Sequence, residues 1–290
     1  MKREVRAIQV AIACSVIGAS VKLTAGFVTG SMSMISSAVD SLGDLFISVV
    51  NLFVVRVAAA EPDEEHNYGH GKIEGLGAMF EGGFTFAAGV FIIYEAVHKI
   101  YVGEVSHDSV LGIVVMLPVL AMTAATVFYL RKVAKETGSL VVKADALHYT
   151  TDVYVNIGVL VSLLLVKLTG KPILDSIISI VIALYMLYSS THVLREGFGV
   201  VMDKSLEPEI VKKISALLTG HAGVLSFHDL KTRAGKIPHV DFHVVVPAAM
   251  TAREIHDLYL DLRARVRELT APEAKVLMHA DPEGAADPGP

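Results

Sequence analysis

Over the first two thirds of the chain, long apolar runs alternate with short polar breaks; over the last third the pattern changes. A helix needs roughly 20 mostly apolar residues to cross a hydrocarbon core. Six stretches meet that requirement, at about residues 7–29, 33–57, 74–100, 109–130, 143–168 and 173–200. From about Glu207 the periodicity shortens. PEIVKKISALL places apolar residues at helical spacing, VLSFHDLKTR and HVDFHVVV alternate with period two, TAREIHDLYLDLRARVREL returns to the helical period, and AKVLMH reads as a short strand. The order α-β-β-α-β predicts a small α+β domain with an antiparallel or mixed sheet. The Pro/Gly-rich end, ADPEGAADPGP, reads as disordered. The expected organisation is therefore a six-helix membrane domain over 1–205, a small soluble domain over 206–282 and a tail over 283–290. No internal repeat is visible.

Composition agrees with a membrane protein: 53% of the 290 residues are hydrophobic and the mean hydropathy is +0.55. The formal charge of -5 argues against a nucleic-acid partner. Cys14 is the only cysteine, which excludes a disulfide framework and a thiolate metal site within one chain. The start, MKREVRAIQVAIACSVIGASVKL, has the basic-then-apolar order of a signal peptide, but the run continues past Lys22 to Val28 and reads as a retained helix.

Basic residues concentrate on alternate loops. Lys2, Arg3 and Arg6 precede the first span, Arg56 and Lys72 flank the second loop, Arg131, Lys132, Lys135 and Lys143 fill the fourth, and Arg195 and Lys204 follow the last span. On the other side stand only Lys99, Lys167 and Lys171. The positive-inside rule then puts both termini in the cytoplasm. With no Trp, an aromatic belt would rest on Tyr.

The chemistry lies in the polar residues inside the spans. SSAVDSLGDLF carries Asp40 and Asp44, and ADALHYTTD carries His148 and Asp152. Each pair is spaced i, i+4 and so shares one helix face. Carboxylates in a bilayer cost several kcal/mol unless they face a cavity or a partner. No Arg or Lys is expected mid-span to neutralise them, whereas a divalent cation would. Three carboxylates and one imidazole form a four-coordinate set suited to Zn²⁺. The bland alternative is a set of hydrated helix-end residues.

These paired motifs resemble the transport-site signature of the cation diffusion facilitator family. The resemblance extends to PDEEHNYGHGKIE at 62–74 and to HDLKTR, FHVVV and MHADP in the last third. It is greatest to the bacterial zinc and ferrous-iron efflux branch, because RKVAKETGSLVVK, between the fourth and fifth spans, holds no His. The resemblance implies a homodimeric metal/proton antiporter in the inner membrane, with a metallochaperone-like cytoplasmic domain. Its cargo would be Zn²⁺, or Fe²⁺, Cd²⁺ or Co²⁺, since an imidazole ligand favours these over Mn²⁺. Protons would be the counter-substrate, with His148 as coupling group, because proton and metal compete for one imidazole lone pair.

Two further metal sites are expected. Asp63, His66 and His70 offer a carboxylate and two imidazoles on one short loop, where water, Glu64 or Glu65 would complete the shell; a solvated loop turning at Gly69 and Gly71 is the alternative. In the tail, the resemblance carries over His228, His243, His256, His279 and Asp281 as ligands of a cytoplasmic metal pair at the dimer interface. His239 and Asp241 share the His243 face of an alternating strand but are additional to that pattern. Lys72 and Asp203 match a salt bridge between protomers. His98, His107, His192 and His221 read as interfacial or solvated. Nothing points to an enzyme. A metal-responsive scaffold or receptor with little transport, and a proton-coupled carrier of organic cations, remain open as other readings.

Overall fold

A computed structural model of the chain describes residues 2–29, 32–102, 110–171, 173–235 and 237–284. Six long helices come first: α1 Lys2–Thr29, α2 Met32–Ala58, α3 Ile73–Val102, α4 Val110–Thr137, α5 Leu140–Thr169 and α6 Ile173–Val201. All six are long and apolar enough to cross a membrane. Then follow α7 Pro208–Thr219, β1 Ser226–Arg233, β2 His239–Val246, α8 Ala252–Leu269 and β3 Lys275–Pro282. The chain divides into two compact units, Met1–Phe198 and Gly199–Pro290. Residues 285–290 of the expected tail and His107 lie outside the described residues.

The fourth helix departs most from its expected length, running on from 130 to Thr137. Polar residues such as Arg131, Lys132 and Lys135 are good helix formers, so the helix need not end where the apolar run does. It ends at Gly138, whose φ of +67° suits glycine. The next helix starts at once. Ser139 Oγ accepts the Val142 N–H at 3.4 Å, and Glu74 Oε2, from the start of α3, accepts the Leu140 N–H at 3.1 Å. Two otherwise orphaned donors of the first turn of α5 are thereby satisfied, one by a carboxylate that also complements the helix dipole.

Within the first unit, α1, α2, α4 and α5 enclose one apolar core that includes Ile8, Val55, Leu130, Val141, Val142 and Tyr149. Ala78 of α3, Ala144 of α5 and Val193 of α6 form a smaller cluster. Close approach of α3 and α6 depends on small residues: a Cβ on Gly197 would lie 2.6 Å from the Gly75 carbonyl oxygen. The outward faces carry exposed Phe46, Phe53, Phe91, Tyr94, Val181 and Tyr188, as expected of helices facing lipid.

The second unit is two-layered. Its sheet order is β1-β2-β3, with β1 and β2 antiparallel and β2 and β3 parallel across the α8 connection. The sheet is thus mixed. Alternation on β2 buries Val240, Phe242, Val244 and Val246 against Ile214 and Leu218 of α7 and Leu258, Leu262 and Val266 of α8. The other sheet face carries His239, Asp241 and His243. A capping box starts α8: Thr251 Oγ1 accepts the Glu254 N–H at 3.4 Å, and Glu254 Oε2 accepts the Thr251 N–H at 2.7 Å. The Thr251 N–H, together with the Thr251 hydroxyl donating to the same oxygen at 2.8 Å, holds the Glu254 carboxyl below its usual pKa range.

Candidate metal sites

The buried cluster in the first unit joins α2 to α5. His148 Nε2 lies 3.1 Å from Asp44 Oδ1 and 3.9 Å from Asp152 Oδ2. One ligand atom from each of Asp44, His148 and Asp152 falls within 4.8 Å of the others, a spacing that a single cation can bridge. The imidazole is sealed, with 7% of the side chain exposed, while Asp44 and Asp152 keep 24% and 29%. Phe84 of α3 meets the imidazole edge-on at 6.3 Å between centroids. Asp40 is placed on α2 one turn before Asp44, but its side chain lies outside the described residues.

The expectation that no Arg or Lys lies mid-span to neutralise the carboxylates overlooked one buried cation. Lys22 of α1 is buried, 8% exposed, and donates to Ser41 Oγ at 2.9 Å. The apolar run around Lys22 reads through a single charge, so composition alone hides where that charge points. A second feature missed in the sequence is the Tyr149 hydroxyl, which donates to the Ala11 carbonyl at 3.0 Å and pairs with Ser15 Oγ at 2.6 Å and Ser48 Oγ at 3.1 Å. It ties α1, α2 and α5 together next to His148.

The loop between α2 and α3 gathers Asp63, His66 and His70 as expected. Asp63 Oδ1 accepts the backbone N–H of His66 at 2.6 Å and of Glu65 at 3.1 Å. The His66 backbone bond, with both imidazoles nearby, lowers the Asp63 pKa. His66 Nδ1 and His70 Nε2 each lie 3.3 Å from an Asp63 oxygen, and the two rings are 4.5 Å apart. Gly69, at φ +82°, closes the turn, donating to the His66 carbonyl at 2.8 Å. Gly71 is not in the left-handed region.

In the second unit, strand register does the gathering. His228 pairs across from His243 and His243 from His279, so three imidazoles from three strands form one row. Ring centroids are 5.1 and 4.8 Å apart. Asp281 closes the row, with one carboxylate oxygen 3.6 Å from both His228 Nε2 and His243 Nδ1 and the other 3.2 Å from His279 Nε2. His256 does not join it: it is exposed on α8, in the helical layer that covers the opposite sheet face. His239 and Asp241 share the face of the row but pair in register with Arg233 and Lys231. Burial and the nearby Arg233 lower the His239 pKa.

The remaining expected residues fall into place separately. Lys72 is exposed just before α3 in the first unit. Asp203 follows α6 in the second unit at φ +53° and lies 3.4 Å from Arg233 Nη1. His192 pairs with Glu196 at 3.2 Å and His98 stacks on Tyr94. His221 is not simply solvated: Nδ1 accepts the Gly223 N–H at 3.1 Å and Nε2 donates to Asp261 Oδ2 at 2.9 Å.

The combination defines a class of protein: six membrane-crossing helices with a buried carboxylate–imidazole cluster, followed by a small α+β domain with a histidine row. The chain belongs to the cation efflux family. Residues 8–202 match the cation efflux transmembrane domain and residues 206–283 the cation efflux protein cytoplasmic domain. It is thus a multi-pass membrane protein of a transporter family. It is 33% identical over 263 residues to the cation-efflux pump FieF of Serratia proteamaculans, covering 90% of this chain and 87% of that one. It is 31% identical over 266 residues to protein p34 of Rickettsia rickettsii, covering 91% and 87%. Among solved structures, one on the mode of action of CzrB, in its Zn form, matches at 34% identity and TM-score 0.27, covering 29% of this chain and 98% of that chain.

Proposed function

We propose that the protein exports Zn²⁺, or the related Fe²⁺, Cd²⁺ or Co²⁺, from the cytoplasm in exchange for protons, as a homodimer in the inner membrane with both termini cytoplasmic. The observation that carries this reading is the position of His148 Nε2 between Asp44 and Asp152 inside the helix bundle. An imidazole between two carboxylates is well placed to carry a proton. A divalent cation at the same place needs the neutral ring, so its arrival displaces the proton. Asp40, one turn from Asp44 on α2, would complete the shell. The nitrogen ligand favours the borderline-soft ions over Mn²⁺.

The loop cluster and the histidine row are read as regulatory sites for the same ion. Metal bound there stabilises whichever conformation binds it better. The match to the cytoplasmic domain and the sheet-borne row support a sensing role, and the basic residues near the α1 start and around the even-numbered loops support the orientation.

The test is metal flux in vesicles containing purified protein, with a pH dye inside. Zinc movement driven by an imposed proton gradient, with protons moving the opposite way, is the expected result. Zinc flux that ignores the gradient would remove the antiport, and absence of any flux would remove export.

A further inference from the structure

A second polar cluster is sealed in the bundle, nearer the ends where α2 finishes and α3 and α5 begin. Asn51 of α2, Glu81 of α3 and Asp145 of α5 are 0%, 1% and 0% exposed. The Asn51 amide donates through Nδ2 to Glu81 Oε2 and to Asp145 Oδ1, each at 3.1 Å. The other oxygens, Glu81 Oε1, Asp145 Oδ2 and Asn51 Oδ1, have no hydrogen-bond partner. One amide nitrogen, Asn51 Nδ2, thus stands within hydrogen-bond distance of both carboxyl groups at once.

Two ionised carboxylates in this position would repel one another in a poorly hydrated core, and each unpaired buried charge costs several kcal/mol. Among the described residues no lysine or arginine bonds to either one. The titratable groups that interact with the pair are Asp44 from α2 and His148, Tyr149 and Asp152 from α5. A metal ion is a poor occupant, because the Asn51 NH₂ already points at one oxygen of each carboxyl. A proton on one of the two carboxyls removes the repulsion between them and makes an orphaned acceptor a donor. It leaves a single negative charge, shared over two groups that each accept one bond from Asn51.

We propose that Glu81 and Asp145 hold one shared proton, forming a proton-binding site distinct from the metal ligands and released when metal binds at His148. The balance is simple: a carboxylic acid paired with a carboxylate becomes two carboxylates and one proton, which passes to solvent. The release follows from charge, since a cation arriving at the neighbouring cluster stabilises the doubly ionised pair. The proton site stands on geometry alone; its release on metal binding rests on the function proposed above.

Infrared spectra of the full-length protein in lipid, at neutral pH without metal, test it through the C=O stretch of a protonated carboxyl, identified by its shift in D₂O. Glu81→Gln and Asp145→Asn each replace one carboxyl by an amide that can donate to the remaining carboxylate. Both preserve the single negative charge and the shape of the pair. Each variant should lose the same protonated component, and Zn²⁺ added to the wild type should bleach it. Persistence in either folded variant overturns the shared proton. Persistence in wild type with Zn²⁺ bound overturns its release. If both variants lose the component while wild-type vesicles show no metal flux, export fails and the proton site stands.

Discussion

Asp44, His148 and Asp152 are gathered by helical spacing inside a sealed bundle, whereas His228, His243, His279 and Asp281 are gathered by strand register on an open sheet face. The side-chain chemistry is nearly the same and the surroundings are opposite. In the bundle, a sealed imidazole stands between two carboxylates, and any change of occupant alters the charge of a poorly hydrated core. On the sheet, three imidazoles share one carboxylate in contact with water. The first arrangement makes binding costly unless charge is exchanged, which suits a carrier. The second allows binding without exchange, which suits a sensor.

That contrast can be broken most directly in the bundle. Asp152→Ala removes one ligand from a closed set, and zinc flux should fall to the background of empty vesicles while size-exclusion chromatography shows an unchanged particle. Flux near the wild-type level would mean that α5 does not carry the ion.

The next effect concerns the layer that supports the open face. Phe242 is 1% exposed and lies opposite the row on the same strand. Phe242→Ala should cost the second unit about 3–5 kcal/mol, read as faster amide exchange confined to 206–284. Uniform exchange changes across both units would show that the two do not unfold separately.

A smaller effect is expected at the row itself. His243→Ala with His279→Ala should weaken zinc binding by the full-length protein at its tail by at least about 10-fold, while flux at saturating zinc persists. Titration followed by small-angle scattering would show it; an unaltered zinc response would place the sensor elsewhere.

The smallest effect is acid-dependent. His221 and Arg265 depress the Asp261 pKa through hydrogen bonds of 2.9 Å. The unfolded chain then binds more protons than the folded one across the window below the ordinary carboxylate pKa. The clamp's stability is therefore present above that window and lost as pH falls through it. Asp261→Asn should lower Tm slightly at neutral pH, with the difference vanishing in acid. A difference that grows in acid would reverse the assignment.

Much of this was legible along the chain, for a physical reason. The cost of exposing backbone and polar groups to lipid forces long apolar runs, so the six helices announced themselves. The clustering of His148 with Asp152 was legible because both members sit on one helix. What stayed hidden depends on packing between elements. Glu81 interrupts an apolar run, which marks it, but nothing in its neighbours names Asn51 and Asp145 as partners. Lys22 was discounted for the same reason. His221 looked like surface until α8 brought Asp261 to it. His256 shows the converse: the resemblance makes it a ligand at the dimer interface, and within one protomer it stands on α8, apart from the row.

The irregularity in β1 carries a further consequence. Between His228 and Lys231 the register slips, with Asp229 at φ +49°. Before the slip even-numbered residues share the face of His243; after it odd-numbered residues do, so that Lys231 and Arg233 stand opposite Asp241 and His239. The strand thus changes phase midway, like a text that shifts reading frame by one letter and still makes sense. Without the extra residue, either His228 or the two cations would have been turned into the apolar layer. A one-residue irregularity lets a single short strand offer imidazole nitrogen at one end and fixed positive charge at the other, on the same side.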